Sequence, residues 1–183
     1  MLMELERATL LVIDVQEKLV PAVHDADRLV ARTRWLLEVA ADLGLPTVIS
    51  EQYPKGLGHT LPTLLDAAPG AQVVDKVHFS CVAGACLPDS LMARDQVIVC
   101  GMETHVCVLQ TVLELRAAGK DVFVVADAVA SRSVTDHELG LARMQGTGAQ
   151  IVSREMVLFE LLKSASHERF RHMSKTYLMG EQP

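Results

Sequence analysis

The chain has 183 residues, half of them hydrophobic, which suits one well-packed domain spanning 1–183. Its net charge of −6 and scattered basic residues argue against nucleic acid and anionic membrane as partners. Glu4, Glu6 and Arg7 precede an apolar run of only about seven residues, too short for an export signal or a membrane span, so a cytoplasmic protein with reduced thiols is expected.

In chain order, Ala8–Ile13 is a continuous apolar strand ending at Asp14, and a helix from about Asp27 to Leu43 is closed by Gly44. Thr47–Ser50 and Gln72–Val74 read as the second and third strands, the latter running towards Lys76. A short helix at Leu87–Arg94 leads into the fourth strand, Gln96–Cys100, which Gly101 ends. Val108–Ala118 has helical composition with Gly119 as its stop, followed by a fifth strand at Asp121–Val125. A helix at Asp136–Gly146, a sixth strand at Gln150–Val152 and helices at about Arg154–Leu162 and His167–Leu178 complete the pattern. Alternating strands and helices, with the strands almost uninterruptedly apolar, predict a three-layer αβα, doubly wound Rossmann-like domain. Its ligand edge is formed by the carboxyl ends of the strands, where the irregular stretches Glu51–Thr60 and Lys76–Pro88 also fall.

Three chemically capable residues converge on that edge: Asp14 after the first strand, Lys76 after the third and Cys107 after the fourth. With Thr104 as N-cap, Cys107 takes the N3 position, where free N–H groups and the positive helix end favour an anion. Its thiol is therefore expected to ionise below the free value of about 8.5 and to alkylate faster than any other cysteine. A thiol, a carboxylate to move its proton and an ammonium to balance the charge suit nucleophilic catalysis. Cys81, Cys86 and Cys100 form no C-x-x-C pair or metal-like spacing and read as structural, with Cys100 inert inside its strand. Gly56-Leu57-Gly58 lacks the third glycine of a dinucleotide fingerprint.

Asp14, Lys76 and the stretch Gly101-Met102-Glu103-Thr104-His105-Val106-Cys107-Val108 together resemble the Asp–Lys–Cys triad of the isochorismatase-like cysteine hydrolases. Glu51–Gly58, His78-Phe79-Ser80 and Asp127–Arg132 are further similar to the isochorismatase domain-containing subgroup. The resemblance implies a six-stranded parallel sheet of order 3-2-1-4-5-6, which sets Asp14 and Cys107 side by side. It also implies a cis Met102–Glu103 bond, and an oxyanion hole made by the Glu103 and Cys107 N–H groups. Gln16, Tyr53, His78, Phe79 and His105 are the candidate substrate contacts. Metal-binding relatives carry an Asp-x-His pair after the second strand; here Ser50-Glu51-Gln52-Tyr53 stands there with only His59 nearby, so neither metal nor other cofactor is expected. A cysteine at the nucleophile position argues against a vinyl-ether substrate. The expected activity is hydrolysis of a small amide, imide or related C–N bond through a Cys107 acyl-thioester, in a homo-oligomer acting on a small molecule. The alternatives are a non-catalytic interaction module on the same fold and a thiol redox sensor, which needs Cys81 or Cys86 to reach Cys107.

Overall fold

Alternation along the central strands explains the layering. In the computed structural model, which describes residues 1–179, β1 (Ala8–Ile13) is buried along its whole length. Residues 180–183 of the expected domain lie outside the described residues. Leu10 and Val12 of β1 enter one apolar cluster, while Leu11 and Ile13 enter the other. A strand buried on both faces has no polar side to present, hence the unbroken apolar run.

The elements follow as α1 (Ala26–Leu43), β2 (Thr47–Gln52), α2 (Pro54–Leu57), α3 (Pro62–Ala67), β3 (Gln72–Lys76), α4 (Asp89–Met92), β4 (Gln96–Met102), α5 (Leu109–Ala117), β5 (Asp121–Ala130), α6 (Val134–Gly146), β6 (Gln150–Val152), α7 (Arg154–Leu162) and α8 (Phe170–Tyr177). The strands form one parallel sheet in the order β3-β2-β1-β4-β5-β6, as the resemblance implies. Helices α1, α3, α7 and α8 pack on one face through Leu36, Leu64, Leu158 and Met173; α4, α5 and α6 cover the other through Leu91, Val112 and Met144. No described helix is long and apolar enough to cross a membrane.

Several elements outrun the sequence reading. β2 continues through Glu51 and Gln52, and β3 reaches Lys76. β5 runs past the polar Asp127 to Ala130 because its pairing with β4 jumps from Val99–Val124 to Gly101–Val129. Asp127, released from the ladder, accepts the Arg154 N–H at 2.9 Å and pairs with Arg32 at 3.3 Å. The expected helix at Leu87–Arg94 shrinks to α4, whereas Pro54–Leu57 and Pro62–Ala67, expected to be loop and unassigned chain, are helical turns.

Strand order brings the carboxyl ends of β1 and β4 together, with Ile13 opposite Gly101. Gly101 has φ of +111°, and any Cβ there would overlap the Ile13 carbonyl oxygen. Only glycine lets β4 pass this close to β1 before the chain turns towards Cys107. The Met102–Glu103 peptide bond that follows is cis.

Candidate active site

The site is built from three strand ends and one helical turn. Asp14 follows β1 with φ of +55°, and its N–H donates to the Ser50 carbonyl at 3.0 Å, tying its position to β2. Its carboxylate accepts from Ser50 Oγ at 2.7 Å and from Lys76 Nζ at 2.6 Å. Lys76, the last residue of β3, sits opposite Gln52 and also donates to Gln52 Oε1 at 2.6 Å. The Asp14 and Lys76 side chains are both essentially sealed from solvent. Gln52 Nε2 in turn donates to the Val77 carbonyl at 2.8 Å, holding β3 where Lys76 leaves it.

Cys107 lies in a π turn, Thr104–Val108, that runs directly into α5. The Val108 N–H reaches back to the Glu103 carbonyl at 3.2 Å, and the N-cap is Glu103, one residue earlier than the spacing predicted. Side chains brace the turn from α6 and from the residues just after β5. Thr104 Oγ1 meets His137 Nδ1 at 3.0 Å, His105 Nδ1 meets Ser131 Oγ at 2.9 Å, and Arg132 donates to Glu103 at 2.8 Å. The turn's position relative to Asp14 and Lys76 therefore depends on neighbours far away in sequence.

The electrostatics reverse one expectation. Burial, together with the neighbouring Asp14 carboxylate, pushes the Cys107 thiol up to about 12 against the pull of Lys76. Burial of the sulfur disfavours its thiolate, and the Asp14 carboxylate acts on it more strongly than the Lys76 ammonium. Burial also raises Asp14 above the usual carboxylate range, although Lys76, Ser50 and Cys107 each pull it down. For Lys76, burial is outweighed by Asp14 and Cys107, which hold its proton. The thiol and the Lys76 amine thus both hold their protons at rest, with the Asp14 carboxyl group between them in the hydrogen-bonded cluster. A base that is reluctant to stay ionised, placed next to the thiol, is suited to taking its proton during attack.

The remaining candidates divide between the scaffold and the rim. Gln16 is fully buried: its Nε2 donates to the carbonyls of Gln52 and Gly58 at 3.0 and 2.6 Å, and its Oε1 accepts the Gln52 N–H at 2.7 Å. Its amide is committed to holding the loop after β2 rather than offered to a substrate. Tyr53 and Phe79 are each 53% exposed, and His78 is exposed beside Phe79, so these three stand at the surface. His105 is fixed to Ser131 as described. His59 bonds the buried Glu51 at 2.9 Å, and Glu51 also accepts the Thr60 N–H at 2.7 Å. Among the described residues, no three or more His, Cys, Asp and Glu side chains gather into a metal-holding group.

Ser50 and Gln52, which grip Asp14 and Lys76, escaped the sequence reading. Their signal was the alternation itself: two polar residues two apart at the end of an apolar strand share one face. The approach of Cys86 to Cys81, both free thiols, with the Cys86 N–H on the Cys81 carbonyl at 3.3 Å, was equally hidden, since both lie in a stretch without regular periodicity.

Residues 8–156 match the isochorismatase domain family. Isochorismatase domain-containing protein 2A of Mus musculus is 39% identical over 173 residues, covering 93% of this chain and 82% of the relative. The structure of MAR1 ribonuclease from Caenorhabditis elegans aligns with a TM-score of 0.92 at 36% identity, over 100% of this chain and 95% of that one. YcaC from Pseudomonas aeruginosa, solved with hexane-2,5-diol and covalent acrylamide, aligns with a TM-score of 0.85 at 25% identity, over 97% and 92% of the two chains.

Proposed function

This chain belongs to the isochorismatase family and has its hydrolase fold, and we propose that it cleaves a small amide, imide or related C–N bond through an acyl-thioester on Cys107, without a metal. The observation that carries this reading is the sealed Lys76–Asp14 contact of 2.6 Å, coupled electrostatically to the Cys107 thiol. A buried ion pair is costly to maintain and contributes little net stability, so a chemical use accounts for it better than a structural one.

In this mechanism Asp14 takes the proton of Cys107 as the sulfur attacks the substrate carbonyl. The charge that develops on the carbonyl oxygen is received by the Glu103 and Cys107 N–H groups, a contribution of roughly 3 kcal/mol per donor in such sites. Asp14 then gives the proton to the departing nitrogen, and the acyl group remains on sulfur. A water molecule deprotonated by Asp14 attacks the thioester, and the thiol leaves with its proton restored. Lys76 remains an ammonium throughout, while Ser50 and Gln52 fix the direction of its pair with Asp14. Tyr53, His78 and Phe79 line the approach, and His105 orients the turn. The covalent acrylamide named for the Pseudomonas YcaC supports a nucleophile on this fold, since thiols add to that electrophile.

The test is a panel of small amides, imides and carbamoyl compounds, followed by ammonia or amine release. Turnover that disappears in Cys107→Ala, together with an acyl adduct on Cys107 in quenched wild-type protein, supports the reading. Turnover undiminished in Cys107→Ala overturns it.

The Caenorhabditis neighbour gives a second reading, cleavage of RNA. Against it stand the net charge of −6 and the engagement of Lys76 by Asp14 and Gln52, which leaves that cation no phosphate to neutralise. RNA cleavage abolished in Cys107→Ala would favour this second reading. A homo-oligomer belongs to the proposal as well: Leu2, Met156 and Phe159 expose apolar surface on one side of the chain, and light scattering reads the assembly directly.

A further inference from the structure

The segment between β3 and α4 folds over α5 and carries two cysteines five residues apart. Its first part is pinned. Ser80 Oγ donates to Glu114 at 2.6 Å, the Ala83 N–H reaches the same carboxylate at 2.9 Å, and the Cys81 N–H donates to Thr111 Oγ1 at 3.0 Å. The chain then doubles back, with the Gly84 N–H on the Ser80 carbonyl at 3.0 Å and Ala85 at φ of +48°. This returns Cys86 to Cys81: its N–H meets the Cys81 carbonyl at 3.3 Å and its sulfur lies 3.4 Å from the same oxygen. A backbone bond across the loop holds the two residues within reach of a disulfide, whose Cα atoms are usually about 4.4–6.8 Å apart.

The two thiols are not equivalent. Cys81 is sealed in the core, whereas Cys86 is half-buried and open to small molecules. An exposed sulfur backed by a buried one is the arrangement of an attacked cysteine and its resolving partner. The chemistry agrees with the geometry. The hydrogen bond from Cys81 and the nearby Lys76 lower Cys86, against the effect of burial, while the same hydrogen bond, burial and Asp14 raise Cys81. Neither thiol takes part in the mechanism above, although Cys81 also contacts Ser50, which holds Asp14.

We propose that Cys81 and Cys86 are a reversible dithiol site, oxidised by hydrogen peroxide to an intrachain disulfide in the wall of the candidate active site. The Cys86 thiolate attacks the peroxide: an S–O bond forms, the O–O bond breaks, and the departing hydroxide is protonated to water. The Cys81 sulfur then attacks the resulting sulfenic acid. The S–S bond forms, the S–O bond breaks, and the second water leaves with the Cys81 proton. Two thiols lose two electrons and one peroxide becomes two waters. This site does not depend on the hydrolase reading, because none of its steps involves Cys107.

The sequence supplies a direct readout. Trypsin cuts after Lys76 and Arg94, so residues 77–94 form one peptide containing Cys81 and Cys86 and no other cysteine. The reduced full chain is exposed to stoichiometric hydrogen peroxide, alkylated, digested and mapped by mass spectrometry. The expected product is this peptide lighter by two hydrogens, unalkylated until a reductant is added, and formed at least about tenfold faster than any oxidation of Cys100. Cys81→Ser should stop at a sulfenic acid on Cys86 that dimedone traps, and Cys86→Ser should leave Cys81 reduced. The wild-type map decides the question even where a variant fails to fold. Oxidation of Cys107 ahead of peptide 77–94, or a bridge from either cysteine to Cys107, overturns the proposal.

Discussion

Lys76→Met keeps the side chain out to the Cε position and removes the charged amine, leaving the Asp14 carboxylate buried without its cation. At an effective dielectric constant of about 20, unit charges 2.6 Å apart attract by roughly 6 kcal/mol, most of which offsets the desolvation of the two groups. Removing one partner leaves that desolvation uncompensated, so urea unfolding near neutral pH should show a loss of about 3–5 kcal/mol. The loss should depend on pH with a definite sign. Without Lys76 the folded carboxyl lies still further above its unfolded value of 3.8, so the folded state binds the extra proton. The destabilisation should therefore be small below the unfolded pKa, grow as pH rises towards the folded pKa, and level off above it. Asp14→Asn in the same chain removes the stranded charge, and the double variant should be more stable than Lys76→Met alone. A single-variant cost below about 1 kcal/mol, or a double variant at least as unstable as the sum of the two single costs, would refute the idea that the pair is one buried electrostatic unit.

Cys107→Ala should lose nearly all turnover while binding ligand and unfolding at almost the wild-type midpoint, and Asp14→Asn should be nearly as damaging, because residues acting as one unit fail together. The acid limb of kcat/KM should lie above the ordinary carboxylate range, since burial raises Asp14 and its protonated form cannot accept the thiol proton; a limb near 4 would contradict this. Iodoacetamide mapping of the resting protein near neutral pH should label Cys86 ahead of Cys107 and Cys81, and Cys107 labelling first would restore the acidified thiol expected from the helix position. The Glu51–His59 pair contributes stability that is lost as pH falls through the lowered folded pKa of Glu51 and as pH rises through the raised one of His59; His59→Ala should therefore shift the urea midpoint more at about pH 5 than at about pH 9. Gly101→Ala should cost more than about 3 kcal/mol or yield insoluble protein, and a soluble variant of unchanged midpoint would mean that β4 and β1 do not approach so closely.

The sheet was legible because each central strand is buried on both faces and so leaves an apolar run in the sequence. It was misread where that logic lapses: Asp127 interrupts β5 in sequence but not in space, because a pairing irregularity turns it towards Arg32. Asp14 and Lys76 were visible as charges at strand ends, and resemblance supplied their association with Cys107. The protonation state of Cys107 was not visible, since it depends on how much protein covers the sulfur and on which neighbouring charge acts on it more strongly. Gln16 and Gln52 illustrate the same gap: an amide beside a site reads as a substrate contact or as nothing, and only the fold reveals which carbonyls and ammonium it holds.

The end of β2 works as a two-sided ruler. Ser50 and Gln52 project towards Asp14 and Lys76, while Glu51 between them projects the other way to Thr60 and His59. Three consecutive residues thus set the spacing of two separate polar assemblies in steps of one strand residue, about 3.3 Å. A deletion or insertion of one residue here would exchange the two sides. It would deliver a carboxylate to the buried ion pair and an amide to the loop clamp at once. The two assemblies are therefore bound to change together, and this strand end can be rebuilt only by paired steps or by substitutions that keep its phase.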